Sequence, residues 1–425
     1  FSNSDSSESN NDNANGLRVG DGFGYSLSLS GDARTLAIGA PYNGNNGVWS
    51  GLIEVYGWDG ESTDYLKIGD SLYGEEEYDL FGNSVSLSAD GKLMAIGARS
   101  NDRENGDITD AGQVKIYGLD EDALEYRQVG QSLYGEGNDE FGTTVSVSGN
   151  GKIFAVGAIQ SEREALSSEF FASDRLAGPG YVKLYEWDEA SFDYKQLGDT
   201  LIGAESGDQF GFAISLSADG QTLAIGATEL HTIKIGYRGY VKVYGWNETA
   251  STFTQLGNTI YGEVAGGYFG SAVSLSAFGN ILAVGSLKNE DSDEYASKAI
   301  VYVWNEYVWK KQGQSITGRA EDLFGWDVSL SGDGQTLAVG APGNGASPGE
   351  TEVYRWDKAS GDYKQLGQTI AGVQQGDGFG YSVSISEDGN SLAVGAYPSV
   401  NGVYGYVKAF DVEYGVSPAS APGLN

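Results

Sequence analysis

Apolar residues recur along the chain in short runs with a period of two. In Val85-Ser86-Leu87 and Val145-Ser146-Val147 they alternate with Ser, which places Ser on the opposite face of a strand. A nearly continuous apolar run follows, such as Leu93-Met94-Ala95-Ile96-Gly97-Ala98, as expected of a strand buried on both sides. Between the two sits Asp-Gly or Asn-Gly: Asp90-Gly91, Asn150-Gly151, Asp219-Gly220, Asp333-Gly334 and Asp388-Gly389. These pairs predict a tight primed hairpin turn, whose central positions need φ > 0. A third run, typified by GLIEVYGW and GYVKLYEW, and a fourth, typified by YRQVGQSLYG, complete a unit of four strands.

The unit repeats. Phe-Gly opens the first strand at 23, 81, 141, 210, 269, 324 and 379, so seven units of 55 to 69 residues tile the chain. A single four-stranded sheet cannot bury both faces, whereas radial packing of seven sheets, the last against the first, does. The predicted fold is therefore all-β, a seven-bladed β-propeller with four antiparallel strands per blade over residues 17–415. A polar, extended arm (1–16) precedes it and a Pro/Ser/Ala tail (416–425) follows. Trp58, Trp187, Trp246, Trp304 and Trp356 recur at one place, with Leu119 and Val412 in the other two units, and are expected to pack between adjacent sheets. Helix is expected only in the blade-three insertion, residues 159–179, where Leu166, Phe170, Phe171 and Leu176 fall near helical spacing. That segment packs on its own blade, or offers Phe170 and Phe171 to a partner. Unit seven lacks the fourth-strand run, so it closes poorly, borrows residues 17–20, or accepts a strand from another molecule.

Composition narrows the function. The chain has 425 residues, 40% of them hydrophobic, enough for a substantial core. A formal charge of −34 argues against nucleic acid and anionic lipid as partners, and no apolar run reaches the ~18 residues of a membrane span. Without Cys there are no disulfides or thiolate sites, and a lone His231 excludes any site that needs two imidazoles. The start at Phe1, without Met or signal peptide, reads as a processed or excised segment.

Phe-Gly followed some sixteen residues later by Gly-Ala, with Gly-Ala-Pro itself at 39–41 and 340–342, resembles the FG-GAP repeats of the integrin α-chain head. The resemblance implies an extracellular propeller engaged in adhesion or ligand binding. It also implies calcium loops of the form D-x-D-x-D-G-x-x-D in the first hairpin turns. Here the turn of unit two offers only Asp90 as a carboxylate, and the other units are similar, so calcium is not expected there and no cofactor is expected at all.

Candidate sites are few. Loops from strand two to three and from strand four to the next blade share one rim, and the longest loops fall there, where propellers bind. Asp21, Asp79, Asp139, Asp208, Asp322 and Asp377 stand two residues before each Phe, with Gly267 in the remaining unit. Each either caps its own turn through backbone amides, or joins a cation-attracting ring at the channel mouth. Asn247-Glu248-Thr249 is the only N-x-S/T sequon and makes Asn247 a glycosylation candidate. No sialidase-type Asp box is complete, the GDGFG stretches do not precede helices, and His231 has no relay partner, so no catalytic residue is assigned. The sequence reads as a secreted, cell-surface or extracellular propeller without enzymatic activity, serving adhesion or structural assembly with other extracellular proteins or copies of itself. A glycan-binding lectin is the alternative, and a hydrolase built on rim carboxylates comes third.

Overall fold

The computed structural model describes residues 19–62, 64–102, 109–160, 178–228, 238–264, 267–287, 296–319, 321–343, 345, 347–398, 404–412, 417 and 418. Within them the chain forms seven antiparallel sheets and no helix. The stretch 161–177, with Phe170 and Phe171, and His231 lie outside the described residues.

Blade two shows the plan. Its innermost strand, Phe81–Leu87, pairs with Leu93–Ala98, which pairs with Gln113–Asp120. The fourth run is broken in two. Glu125–Gln128 and Leu133–Tyr134 both pair with the third strand, and Gly130 at φ 70° turns the chain between them. The second strands are the most buried, every residue of Thr35–Ala40 and Ile153–Ala158 being inside. The core lies between blades, where Val114 and Ile116 of blade two pack with Phe154, Val156 and Tyr185 of blade three.

The Phe-Gly and Gly-Ala pairs have a common physical origin. Each Phe is buried, from Phe23 at 6% exposure to Phe141, Phe210 and Phe379 at 0%. Each Gly of Gly-Ala lies against the Gly of the next blade's Phe-Gly, so closely that a Cβ on Gly39 would collide with the Gly82 carbonyl oxygen. The same contact joins Gly395 of blade seven to Gly24 of blade one. Backbone touches backbone at every seam, and only glycine permits it.

Ser in the alternating strand closes the ring from inside. The hydroxyl oxygens of Ser28, Ser86, Ser146, Ser215, Ser274, Ser329 and Ser384 accept the backbone N–H of Leu87, Val147, Leu216, Leu275, Leu330, Ile385 and Leu29, each on the next blade, at 2.9–3.1 Å.

Two expectations change in detail and one holds. The first hairpin is not a primed turn: Gly91 lies at φ 68° but Asp90 does not, and Gly91 N–H donates to Ser88 C=O. Ser88 explains this, because its hydroxyl donates to Asp90 Oδ1 at 2.6 Å and accepts Leu93 N–H at 3.0 Å, favouring a longer turn with a single left-handed residue. As expected, the recurring Trp residues pack between adjacent sheets, Trp246 over Gly198, Trp304 over Gly257 and Trp356 over Gly313 of the preceding blade, and each also meets the aromatic directly across in strand four, as in Trp58–Tyr65 at 5.1 Å and Trp187–Tyr194 at 5.0 Å. In blade seven the outer strand is Ser417–Pro418, from the stretch read as a tail, pairing with Tyr406–Asp411; Val19 and Gly20 join no sheet.

Candidate functional site

The long-loop rim is organised by the aspartates. Asp79 Oδ2 accepts the N–H of Glu75 and Glu76, and Asp79 Oδ1 accepts the Asn101 amide. Asp139, Asp208 and Asp377 likewise accept backbone N–H groups three or four residues upstream, together with the hydroxyls of Tyr181, Tyr240 and Tyr406. Asp21 accepts the Asn43 amide at 2.6 Å, and Asp322 accepts Arg319 and Phe324 N–H. All but Asp322 are buried. Burial raises the carboxyl pKa of Asp79 and Asp322, against the pull of these hydrogen bonds. No cluster of three or more metal-ligating side chains exists among the described residues. Asn247 ends a third strand, half-buried, its Oδ1 accepting Ala250 N–H at 3.1 Å.

Each clasped aspartate forces a contorted backbone around it. The residue before Phe-Gly is left-handed in Gly22, Leu80, Glu140, Gln209, Leu323 and Gly378, and the residue before the aspartate is left-handed in Gly20, Tyr78, Asn138, Gly207, Glu321 and Gly376. Where Gly267 replaces the aspartate, Tyr268 is not left-handed and instead begins the inner strand Tyr268–Leu275. Of the fifteen described non-glycine residues with φ > 0, ten stand on this rim, a concentration of strain typical of functional surfaces.

This geometry throws the residue after each Phe-Gly into the mouth of the channel. Tyr25, Asn83, Thr143, Phe212, Ser271, Trp326 and Tyr381, one from each blade, line a single cavity of about 560 Å3. Arg99, Thr228 and Leu287, each one residue past the end of a Gly-Ala or Gly-Ser pair, complete its wall. The aromatic rings run in unbroken contact: Trp326–Tyr381 at 5.2 Å, Tyr381–Tyr397 at 5.0 Å, Tyr397–Tyr25 at 5.4 Å, Tyr25–Tyr42 at 5.8 Å.

Arg99 is the cation of this funnel. Its side chain is 23% exposed, with Nη1 3.7 Å from Glu140 Oε2, and Glu140 is 2% exposed. Arg99 Nε is buried without a hydrogen-bond partner, and so is Ser271 Oγ. Burial disfavours the charge on Arg99, but Tyr25, Glu140 and Tyr42 more than offset it, so the guanidinium stays charged. Burial, and then their neighbouring tyrosines, push the phenols of Tyr42, Tyr381 and Tyr397 up, so all three remain protonated donors. One residue beyond Trp326, where other blades carry Ser26, Ser84, Thr144, Ala213, Ala272 and Ser382, stands Asp327. It accepts Val383 N–H at 2.7 Å and Val328 N–H at 2.9 Å, and burial pushes its carboxyl up to about 6.

Sequence reasoning found the rim but not the funnel. The signal was present: within a nearly constant unit, the residue after Phe-Gly differs in almost every copy.

The FG-GAP repeat family matches residues 14–56, 74–117 and 317–354. No curated protein matches the chain. Among solved structures, it is similar to a protein provisionally assigned as a 6-phosphogluconolactonase from Bacteroides uniformis, with TM-score 0.58 and 12% identity over 92% of this chain and 96% of that one. A second protein so assigned, from Bacteroides fragilis, has TM-score 0.58 and 12% identity over 91% and 94%. The periplasmic gluconolactonase of Pseudomonas aeruginosa has TM-score 0.51 and 16% identity over 82% and 85%. At these identities the likeness shows the fold alone.

These neighbours correct the reading of a non-enzymatic adhesion or assembly propeller. Propellers of this fold are named for lactone hydrolysis, so neither the repeats nor the lack of a contiguous catalytic motif argues against an enzyme. The physical reason is that the funnel gathers single residues from seven blades, which no linear motif displays. The chain is a seven-bladed β-propeller that matches the FG-GAP repeat in three of its segments.

Proposed function

We propose that the axial funnel binds a small anionic sugar derivative and hydrolyses an ester bond within it, a sugar lactone being the substrate class. The observation that carries this reading is Arg99, a charged guanidinium with a buried, unpartnered Nε in the wall of an aromatic cavity. A guanidinium there suits a carboxylate or phosphate, or the oxyanion that forms when water adds to a carbonyl. The faces of Tyr25 and Trp326 suit the C–H face of a sugar ring, and Ser271 Oγ, buried without a partner, offers a hydrogen bond to one of its hydroxyls. Water adds to the lactone carbonyl, the carbonyl–ring-oxygen bond breaks, and the proton lost by the water ends on the ring oxygen, giving the open hydroxy acid. The proteins of this fold that are named as lactonases indicate which reaction to assay first.

The test is base consumption in a pH-stat with D-glucono-1,5-lactone and its 6-phosphate. Turnover above the spontaneous rate is expected, falling about 100-fold in Arg99→Met, measured at a temperature where that variant, which also loses the buried pair with Glu140, is still folded. Wild-type protein that leaves both lactones at their spontaneous rate would overturn the proposal.

A further inference from the structure

The aromatic chain does not stop at the cavity. Tyr42 meets Trp49 at 5.8 Å, and Trp49 meets Tyr78 at 5.8 Å, edge to face. Trp49 is 50% exposed and Tyr78 52% exposed, so the last two rings lie open on the rim between blades one and two. Both are held against backbone preference, at φ 54° and φ 70°. At the place of Tyr78 four other blades carry Gly20, Asn138, Gly207 and Gly376, residue types that tolerate this conformation, and blade six carries Glu321. At the place of Trp49 blade two carries Asp110. The platform is also fixed: Tyr78 N–H donates to Val48 C=O at 2.7 Å, Leu80 N–H to Trp49 C=O at 3.1 Å, and the Asn46 amide to Gly74 C=O at 2.6 Å. Large aromatics that are strained, rigid and half-exposed, in line with a polar cavity, mark a ligand surface rather than a core.

We infer that Trp49 and Tyr78 form an outer subsite for a neutral sugar unit, so that the ligand of the funnel is an oligosaccharide with one acidic end. The reasoning rests on the funnel reading above, with Arg99 holding the acidic end. The neighbouring rim carries Glu76 and Glu77 and repels a second anionic unit, while a pyranose lays its apolar C–H face on an indole and keeps its hydroxyls in water.

The experiment is calorimetric titration with gluconate and with lactobionate, which is gluconate bearing one neutral galactose. Wild type should bind lactobionate about tenfold more tightly than gluconate. Trp49→Ala and Tyr78→Ala should remove that gain without changing gluconate affinity, and Trp49→Phe should keep most of it. Equal affinities in wild type, or a gain that survives Trp49→Ala, would overturn the outer subsite and leave the funnel reading standing. Failure of both acids to bind would overturn both readings, and failure of lactobionate alone the outer subsite.

Discussion

The two ends of the central channel are built on opposite principles. At the hairpin end the same turn is written into most blades: Ser88, Ser217, Ser331 and Ser386 each donate to an aspartate two residues on and accept an amide five residues on. At the loop end the frame is equally regular, but the residue it presents changes from Tyr to Asn, Thr, Phe, Ser, Trp and back to Tyr. In a repeat protein, identity among units reports what the seams require, and departure from identity reports what the site requires. The turn carboxylates follow the first rule, each committed to a hydroxyl and a backbone amide.

The largest expected effect breaks the repeated side of this comparison. A Cβ at Gly97 would meet the Gly142 carbonyl and the Ser84 hydroxyl, so Gly97→Ala should cost about 3 kcal/mol or more, or prevent folding. Thr143→Ala, at the presented position one residue past Gly142, should change stability by less than about 0.5 kcal/mol. Chemical denaturation of the two variants side by side is decisive, and equal losses would erase the distinction. Next in size is Ser215→Ala, which leaves the inward Leu275 N–H without its acceptor and should cost about 1–2 kcal/mol at the seam between blades four and five.

The smallest effect sharpens the comparison at the presented end and depends on pH. Asp327 has a carboxyl pKa raised to about 6 in the folded state, against roughly 3.9 when unfolded. The folded protein therefore holds the extra proton between those values, and its stability falls as pH rises from ~4 through ~6. Compared with Asp327→Asn, which cannot titrate but has only one oxygen for the Val328 and Val383 N–H donors, the wild type should therefore lose about 1–2 kcal/mol more between pH 4 and pH 8. Melting temperatures of both proteins between pH 4 and pH 8 test this, and a constant offset across the range would show that Asp327 does not titrate in that window.

The fold was legible because its signals are local and repeated seven times. Phe in Phe-Gly, Gly in Gly-Ala and Ser in the alternating strand each answer a need that recurs at every seam. The funnel was not legible for the converse reason. Arg99 meets Tyr25 and Tyr381 only after the ring has closed, and by itself it looks like any Arg at a strand end. Asp-Gly suggested a primed turn because the hydrogen bonds of the preceding Ser, which choose a different turn, leave no mark in the pair itself. Ser417–Pro418 was too short and too linker-like to read as an outer strand.

Every sheet is made of consecutive residues, so chain connections join each blade to the next except blade seven to blade one. That seam is held without a covalent link, by contacts that include Leu29 N–H on Ser384, Ser382 on Gly24 C=O, Glu387 N–H on Gly31 C=O, and the packing of Ala393 and Val407 under Leu36 and Ile38. Mechanically the molecule is a split washer, and its gap runs under the aromatic funnel, because Tyr25 and Tyr42 stand on one lip and Tyr381 and Tyr397 on the other. Anything that stacks on those four rings clamps the washer shut. Amide exchange at Leu29 and Glu387 then becomes a gauge of occupancy, slow when the funnel is filled and faster than at any other seam when it is not.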